Sequence, residues 1–228
     1  IEAGDYIGVV SSNGPDKDSA KAAFDLFTKI SESSLTSGEV QTDISGEGII
    51  PGKIIDNVYS NEMMNIKFDA NATGLEFVSD EGLKNMGNDG IERSDVAAVK
   101  KHIEDGKSFI DMFAVDNADT TKRISVSLAK NDILMPMDEY LDVQKEIMEK
   151  QLSKVPKDQL KSSEVKKSDA YFLGQELSCL DIYVDTTVAK QCQKYLFVVK
   201  DDYMMIIVSS GKDEKEAQAG LDLFQKYE

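Results

Sequence analysis

Two stretches lying 197 residues apart, DYIGVVSSNGPDKDSAKAAFDLFTKI at 5–30 and DYMMIIVSSGKDEKEAQAGLDLFQKY at 202–227, align without a gap and are identical at eleven of 26 positions. Composition alone would give about one or two matches. Each copy reads as an apolar strand, a Gly-containing turn and a helix. In the first, Ala20, Ala23, Phe24, Phe27 and Ile30 share one helical face; in the second, Ala217, Gly220, Leu221 and Phe224 do. The spacing predicts strands over 6–11 and 203–208 and helices over 16–30 and 213–227. A lone strand–helix pair buries too little to stand by itself. The first copy therefore needs a sheet to cover. One reading makes 1–31 the closing unit of a preceding domain copy, in tandem, docked on this domain or self-associating with a neighbouring chain. The other makes it half of an internal pseudo-symmetry. The tandem reading is the one taken here.

Residues 32–53 are rich in Ser, Thr, Gly and Glu without periodicity and read as a linker. A second unit, 54–228, then begins. Strands are expected at 54–59, 64–68 and 75–78. Ser79 caps a short helix through Met86, and Ser94 caps another with Val96, Val99 and Ile103 on one face, closed by Gly106. Strands follow at 109–115 and at 124–128, where Ile124, Val126 and Leu128 alternate with Ser125 and Ser127. Pro136 opens a helix over 137–152 whose apolar stripe is Tyr140, Leu141, Ile147, Met148 and Leu152. A charged loop leads to strands near 171–174, 177–184, 191–199 and 203–209, joined so briefly that they must form an antiparallel meander. The fold class expected is α+β: one mostly antiparallel central sheet of about six or seven strands flanked by helices.

Acidic residues number 42 against 26 basic, for a net charge of −16. Such a surface repels phosphate backbones and anionic membranes, which argues against nucleic-acid binding. No stretch has the length and apolarity of a transmembrane helix, so no membrane insertion by this chain is expected. Its first residues run straight into an apolar strand, so the chain reads as trimmed, and any export signal or lipid anchor would lie upstream.

Cys179 and Cys192 match no metal or redox spacing. A hairpin centred near Asp185 and Thr186 would set them face to face on neighbouring strands, as a disulfide or as two buried thiols. His102, the only histidine, falls in the last turn of a helix and reads as a cap. The run Asp69-Ala70-Asn71-Ala72-Thr73-Gly74 with Asp80 imitates a calcium loop, but Glu76 and Asp80 are wrong for its eighth and twelfth positions. A strand–turn–strand is the better reading, and Asp116-Asn117-Ala118-Asp119 is a similar acidic turn. No phosphate loop or dinucleotide fingerprint occurs. No catalytic, cofactor-binding or metal residue is singled out, and no cofactor is expected.

At GKIIDNVYSNEMMNIKFDANATGLEFVSDEGLKNM and KYLFVVKDDYMMIIVSSGKDEKEAQAGLDLFQKY the sequence resembles the PsbP-like domains of exported lipoproteins of Gram-positive bacteria. The resemblance covers about residues 54–228. It rests on Tyr59-x-Asn61 before a strand, a Gly step before a short strand, the helix after Ser79, and the ending. The Pro-x-Gly-Trp step common in that family is here Asn71-Ala72-Thr73-Gly74-Leu75. The resemblance implies a sandwich of a central antiparallel sheet between helices, an extracytoplasmic, envelope-tethered home, and no catalytic residues to carry over. The function expected is a non-catalytic binding or scaffolding domain with a protein partner. The alternative is a hydrolase or divalent-metal-dependent enzyme with a cleft of carboxylates.

Overall fold

The computed structural model describes residues 49–227, together with β1 (Glu2–Ala3) and β2 (Tyr6–Ile7), which pair antiparallel. The expected helix at 16–30, the rest of its strand and most of the 32–53 linker lie outside the described residues.

Two antiparallel sheets form the body. The larger runs β6 (Leu75–Phe77), β7 (Phe109–Asp116), β8 (Arg123–Lys130), β12 (Tyr203–Gly211), β11 (Lys190–Lys200), β10 (Gln175–Thr186), β9 (Leu160–Phe172). The smaller runs β13 (Phe224–Lys226), β5 (Ile66–Asp69), β4 (Val58–Asn61), β3 (Lys53–Ile55). Among the described residues four helices accompany them: α1 (Asp80–Met86), α2 (Val96–Glu104), α3 (Met137–Leu152) and α4 (Glu214–Leu221). The expected α+β class is thus observed, with two sheets where one was expected.

The main core joins the two sheets. Ile124, Val126 and Leu128 of β8 meet Val99 and Ile103 of α2, Leu221 of α4, and Tyr59, Ile66 and Phe68 of the small sheet. The Phe68 and Phe224 rings lie 5.1 Å apart, and Phe172 lies 5.4 Å from Phe224. On the opposite face of the large sheet, α3 covers Leu180, Ile182, Tyr195 and Phe197. α1 covers Ile110 and Phe113 through Leu83. Both faces of β8 are therefore buried, and Ser125 and Ser127 are as enclosed as the aliphatics they alternate with.

Local chemistry explains most boundaries. Ser79 Oγ accepts from the Gly82 N–H and caps α1. α2 starts one residue later than expected, because Asp95 rather than Ser94 accepts from the Ala98 N–H. The stretch 54–59 is not one strand. Asp56 and Asn57 both take positive φ, at 50° and 64°, and turn it into the β3–β4 hairpin. The charged loop expected before 171 is β9, a long edge strand paired to β10 with a one-residue bulge at Lys161. The helix expected over 213–227 ends at Leu221, and Phe224–Lys226 crosses to pair with β5. In α3 the buried stripe is Tyr140, Leu141, Gln144, Met148 and Gln151, while Ile147 and Leu152 are only half-buried. Ile49, Pro51 and Gly52, inside the stretch read as a linker, are buried against the body.

Candidate functional site

The groups with most chemical capacity lie in three buried polar clusters. The first is built at an irregularity. β7 pairs Ile110 with Ser127 and Met112 with Val126, so Asp111 is an extra residue, a β-bulge. The bulge turns the Asp111 carboxylate, fully buried, toward the small sheet. Its Oδ2 accepts from Tyr59 Oη at 2.6 Å, Asn61 Nδ2 at 3.1 Å and the Gly52 N–H at 2.8 Å. Gly52 can lie this close only without a side chain, since a Cβ would fall 2.7 Å from the Ser60 carbonyl oxygen. Arg93 lies alongside, donating to the Asp111 carbonyl at 3.1 Å and ion-paired to Asp80. Burial pushes the Asp111 carboxyl up; the hydrogen bonds from Tyr59, Gly52 and Asn61 offset this only in part. Burial and the adjacent carboxylate raise the Tyr59 phenol well above its usual value. Tyr59-x-Asn61 is visible in the sequence, but its partner lies some fifty residues away and nothing local announces it.

The second cluster sits under the start of α4. Asp181 and Lys194 are directly opposite on β10 and β11, and both side chains are almost wholly buried. Lys194 Nζ donates to the two Asp181 oxygens at 2.9 and 3.0 Å and lies 3.5 Å from Glu214. Tyr183 Oη donates to Glu214 at 3.1 Å. Cys179 Sγ lies 3.1 Å from Ser168 Oγ and 3.8 Å from Asp181. Burial lowers the Lys194 pKa, yet the Asp181 carboxylate more than offsets it and the net shift is upward. Burial pushes the Cys179 thiol up to about 11 and the Cys192 thiol up to about 12.

The two cysteines are indeed on neighbouring strands, but they do not face each other. Cys179 opposes Leu196, and Cys192 opposes Tyr183. The hairpin closes between Thr186 and Ala189, two residues later than the expected centre, and this moves every cross-strand partner by four. Four residues of strand is about 13 Å, well beyond disulfide reach. Both are free thiols.

The third cluster surrounds Arg123, which is 4% exposed. Its Nε donates to Ser210 Oγ at 3.4 Å and its Nη2 to Gln191 Oε1 at 3.1 Å, while Nη1 has no partner. Burial lowers its pKa to about 10.

The acidic turns flagged by sequence are occupied locally. Asp69 Oδ1 accepts from the Asn71 N–H at 2.9 Å, and Asp80 is engaged by Arg93, so the two ends of the calcium-like run do not converge. Asp116 Oδ1 accepts from the Ala118 and Asp119 N–H groups. Asp119 itself is held down to about 2, chiefly by Lys212. His102 is buried at the end of α2, its Nε2 3.1 Å from the Ser108 carbonyl oxygen, edge-on to Phe109. Among the described residues, no three His, Cys, Asp or Glu side chains converge as a metal set.

In the second cluster the shifts run upward. Nucleophilic lysines and cysteines need lowered pKa values, and here Lys194, Cys179 and Cys192 all move the other way. Fold and clusters together define an antiparallel α+β domain with three buried polar clusters, of which the Asp111 and Asp181–Lys194 groups are closely paired. No family model matches the sequence, and no curated protein does. Among solved structures, cyanobacterial PsbP (CyanoP) from Synechocystis sp. PCC 6803, determined in solution, is similar over 82% of this chain and 98% of that one. Identity is 14% and the TM-score 0.41. Similarity at that level assigns no residue a role. Among the described residues no helix is long and apolar enough to cross a membrane.

Proposed function

We propose that this chain is a non-catalytic binding or scaffolding domain of the PsbP-like kind, carried outside the cytoplasm on a lipoprotein of a Gram-positive envelope. The observation that carries the non-catalytic part is the direction of the shifts at Lys194, Cys179 and Cys192, each away from reactivity. The sequence resemblance over 54–228 supports the family and the location. The repeat of 5–30 in 202–227 supports a tandem arrangement, with 54–228 as one domain copy. On this reading the buried clusters lock the scaffold and the surface does the work. The test pairs a screen of ester, phosphate and peptide substrates with thermal unfolding in calcium, magnesium and zinc. No turnover and no metal-dependent shift is the expected result. Turnover above buffer, or a saturable metal shift, would replace this reading with the acidic-cleft enzyme.

A further inference from the structure

Strand β9 is the long free edge of the large sheet: β10 pairs one side of it, and its other side has no strand partner among the described residues. Exposed lysines usually protect such an edge from pairing. β9 carries Lys161, Lys166 and Lys167, all exposed, but also exposed Glu164 and Asp169. Their order is self-complementary about Val165. Laid antiparallel on a second copy with Val165 opposite Val165, the strand sets Glu164 against Lys166, while Lys161 sits at a one-residue bulge beside Asp185 of its own chain and falls outside this register. The strand also sets Ser162 against Ser168.

Twofold symmetry makes the Glu164–Lys166 pair occur twice, so two ion pairs form with no like charges directly opposed. The remaining lysine, Lys167, falls opposite Ser163 and is already neutralised within its own chain, 2.8 Å from both Asp138 and Asp142 of α3. Glu164 and Lys166 are 3.0 Å apart in one chain. In the pair they become a square of alternating sign. Neighbouring registers lose this. Centring on Glu164 opposes Glu164 to itself, and centring on Lys166 opposes Lys166 to itself. The edge is also nearly neutral, three lysines against two acids, in a chain of net charge −16. It is a place where two such acidic molecules can approach.

We propose that β9 is a homodimerisation edge, joining two copies through antiparallel pairing centred on Val165 into one continuous sheet. Main-chain hydrogen bonds supply the attraction and the charge pattern fixes the register. The Val165 side chain, buried under α3, keeps the centre of the strand flat against its own helix. This inference stands apart from the family reading above, because it needs only β9.

Sedimentation equilibrium of the full chain, from low micromolar to millimolar concentration, measures the association. Glu164→Lys and Lys166→Glu each turn two attractions into two repulsions and should weaken the dimer by at least about tenfold. The doubly exchanged chain carrying both changes restores complementarity and should recover most of it. Both positions are exposed, and circular dichroism checks that each variant folds. A monomer at millimolar concentration overturns the proposal. So does a dimer indifferent to the single changes, or one that the double exchange fails to rescue.

Discussion

Replacing Lys194 with Met removes the only ammonium within reach of Asp181 among the described residues and leaves its shape nearly intact. The Asp181 carboxylate is then buried with two remaining contacts, Tyr183 Oη at 3.5 Å and Cys179 Sγ at 3.8 Å. Both are long, and neither replaces two hydrogen bonds near 3 Å from a cation. Breaking a buried pair by removing one partner costs about 3–5 kcal/mol, because the survivor keeps its desolvation penalty. In a domain of ordinary stability, about 5–15 kcal/mol, that is a large share of the total. Removing both charges is different. With Asp181→Leu and Lys194→Met together no charge is stranded, and the double variant should lie within about 1–2 kcal/mol of the parent. Asp181→Leu alone should cost less than Lys194→Met, since Glu214 remains 3.5 Å from the ammonium. The assay is urea unfolding of all four proteins as a double-mutant cycle at constant m value. A Lys194→Met variant that loses under about 1 kcal/mol, or a double variant worse than either single one, would refute the picture of a sealed, mutually dependent pair.

Tyr59→Phe takes one of the three donors from the Asp111 carboxylate and should cost about 1.5–3 kcal/mol in the same assay. Because the folded Asp111 carboxyl is raised above its unfolded value, the folded state holds its proton more tightly. Its contribution is therefore full at acid pH and lost as pH rises through the folded pKa. Asp111→Asn should flatten that part of the urea-midpoint profile. Cys179 and Cys192 should resist Ellman's reagent in the native protein and react only on unfolding, and intact mass should not change with reductant. Gly220→Ala should destabilise by about 1–3 kcal/mol. Its Cβ would overlap Ser209 Oγ, which donates to the Ala217 carbonyl at 2.6 Å, and would press on Ile124.

Legibility in the sequence followed how local each cause is. The late meander, the cap at Ser79 and the stop signals of α3 depend on neighbouring residues, and they could be read directly. β9 could not: Val165, Ala170 and Phe172 are its only fully buried side chains, so its alternation is too sparse to separate from a charged loop. β13 is hidden by the helical pattern of Ala217 and Leu221, whose spacing Phe224 continues, whereas its ring is claimed by Phe68 and Phe172. The cysteines were placed on the right strands and in the wrong register, because a turn displaced by two residues leaves no trace in composition. The Asp111 cluster shows the same limit at the site. Tyr59 and Asn61 stand out in the chain, but a bulge that aims a carboxylate at them is decided by the sheet, not by the residues beside it.

The pairing of β13 with β5 also sets an order of events. Strand β5 is made early, yet its partner at 224–226 follows the whole large sheet along the chain. During synthesis, Phe68 lacks its Phe224 neighbour until those residues emerge. Contacts of such long sequence separation make folding slow. They also make the final step a closure, in which the last strand seals an interior already assembled, and a chain halted before Phe224 would present its aromatic core to whatever chaperone or protease reaches it first.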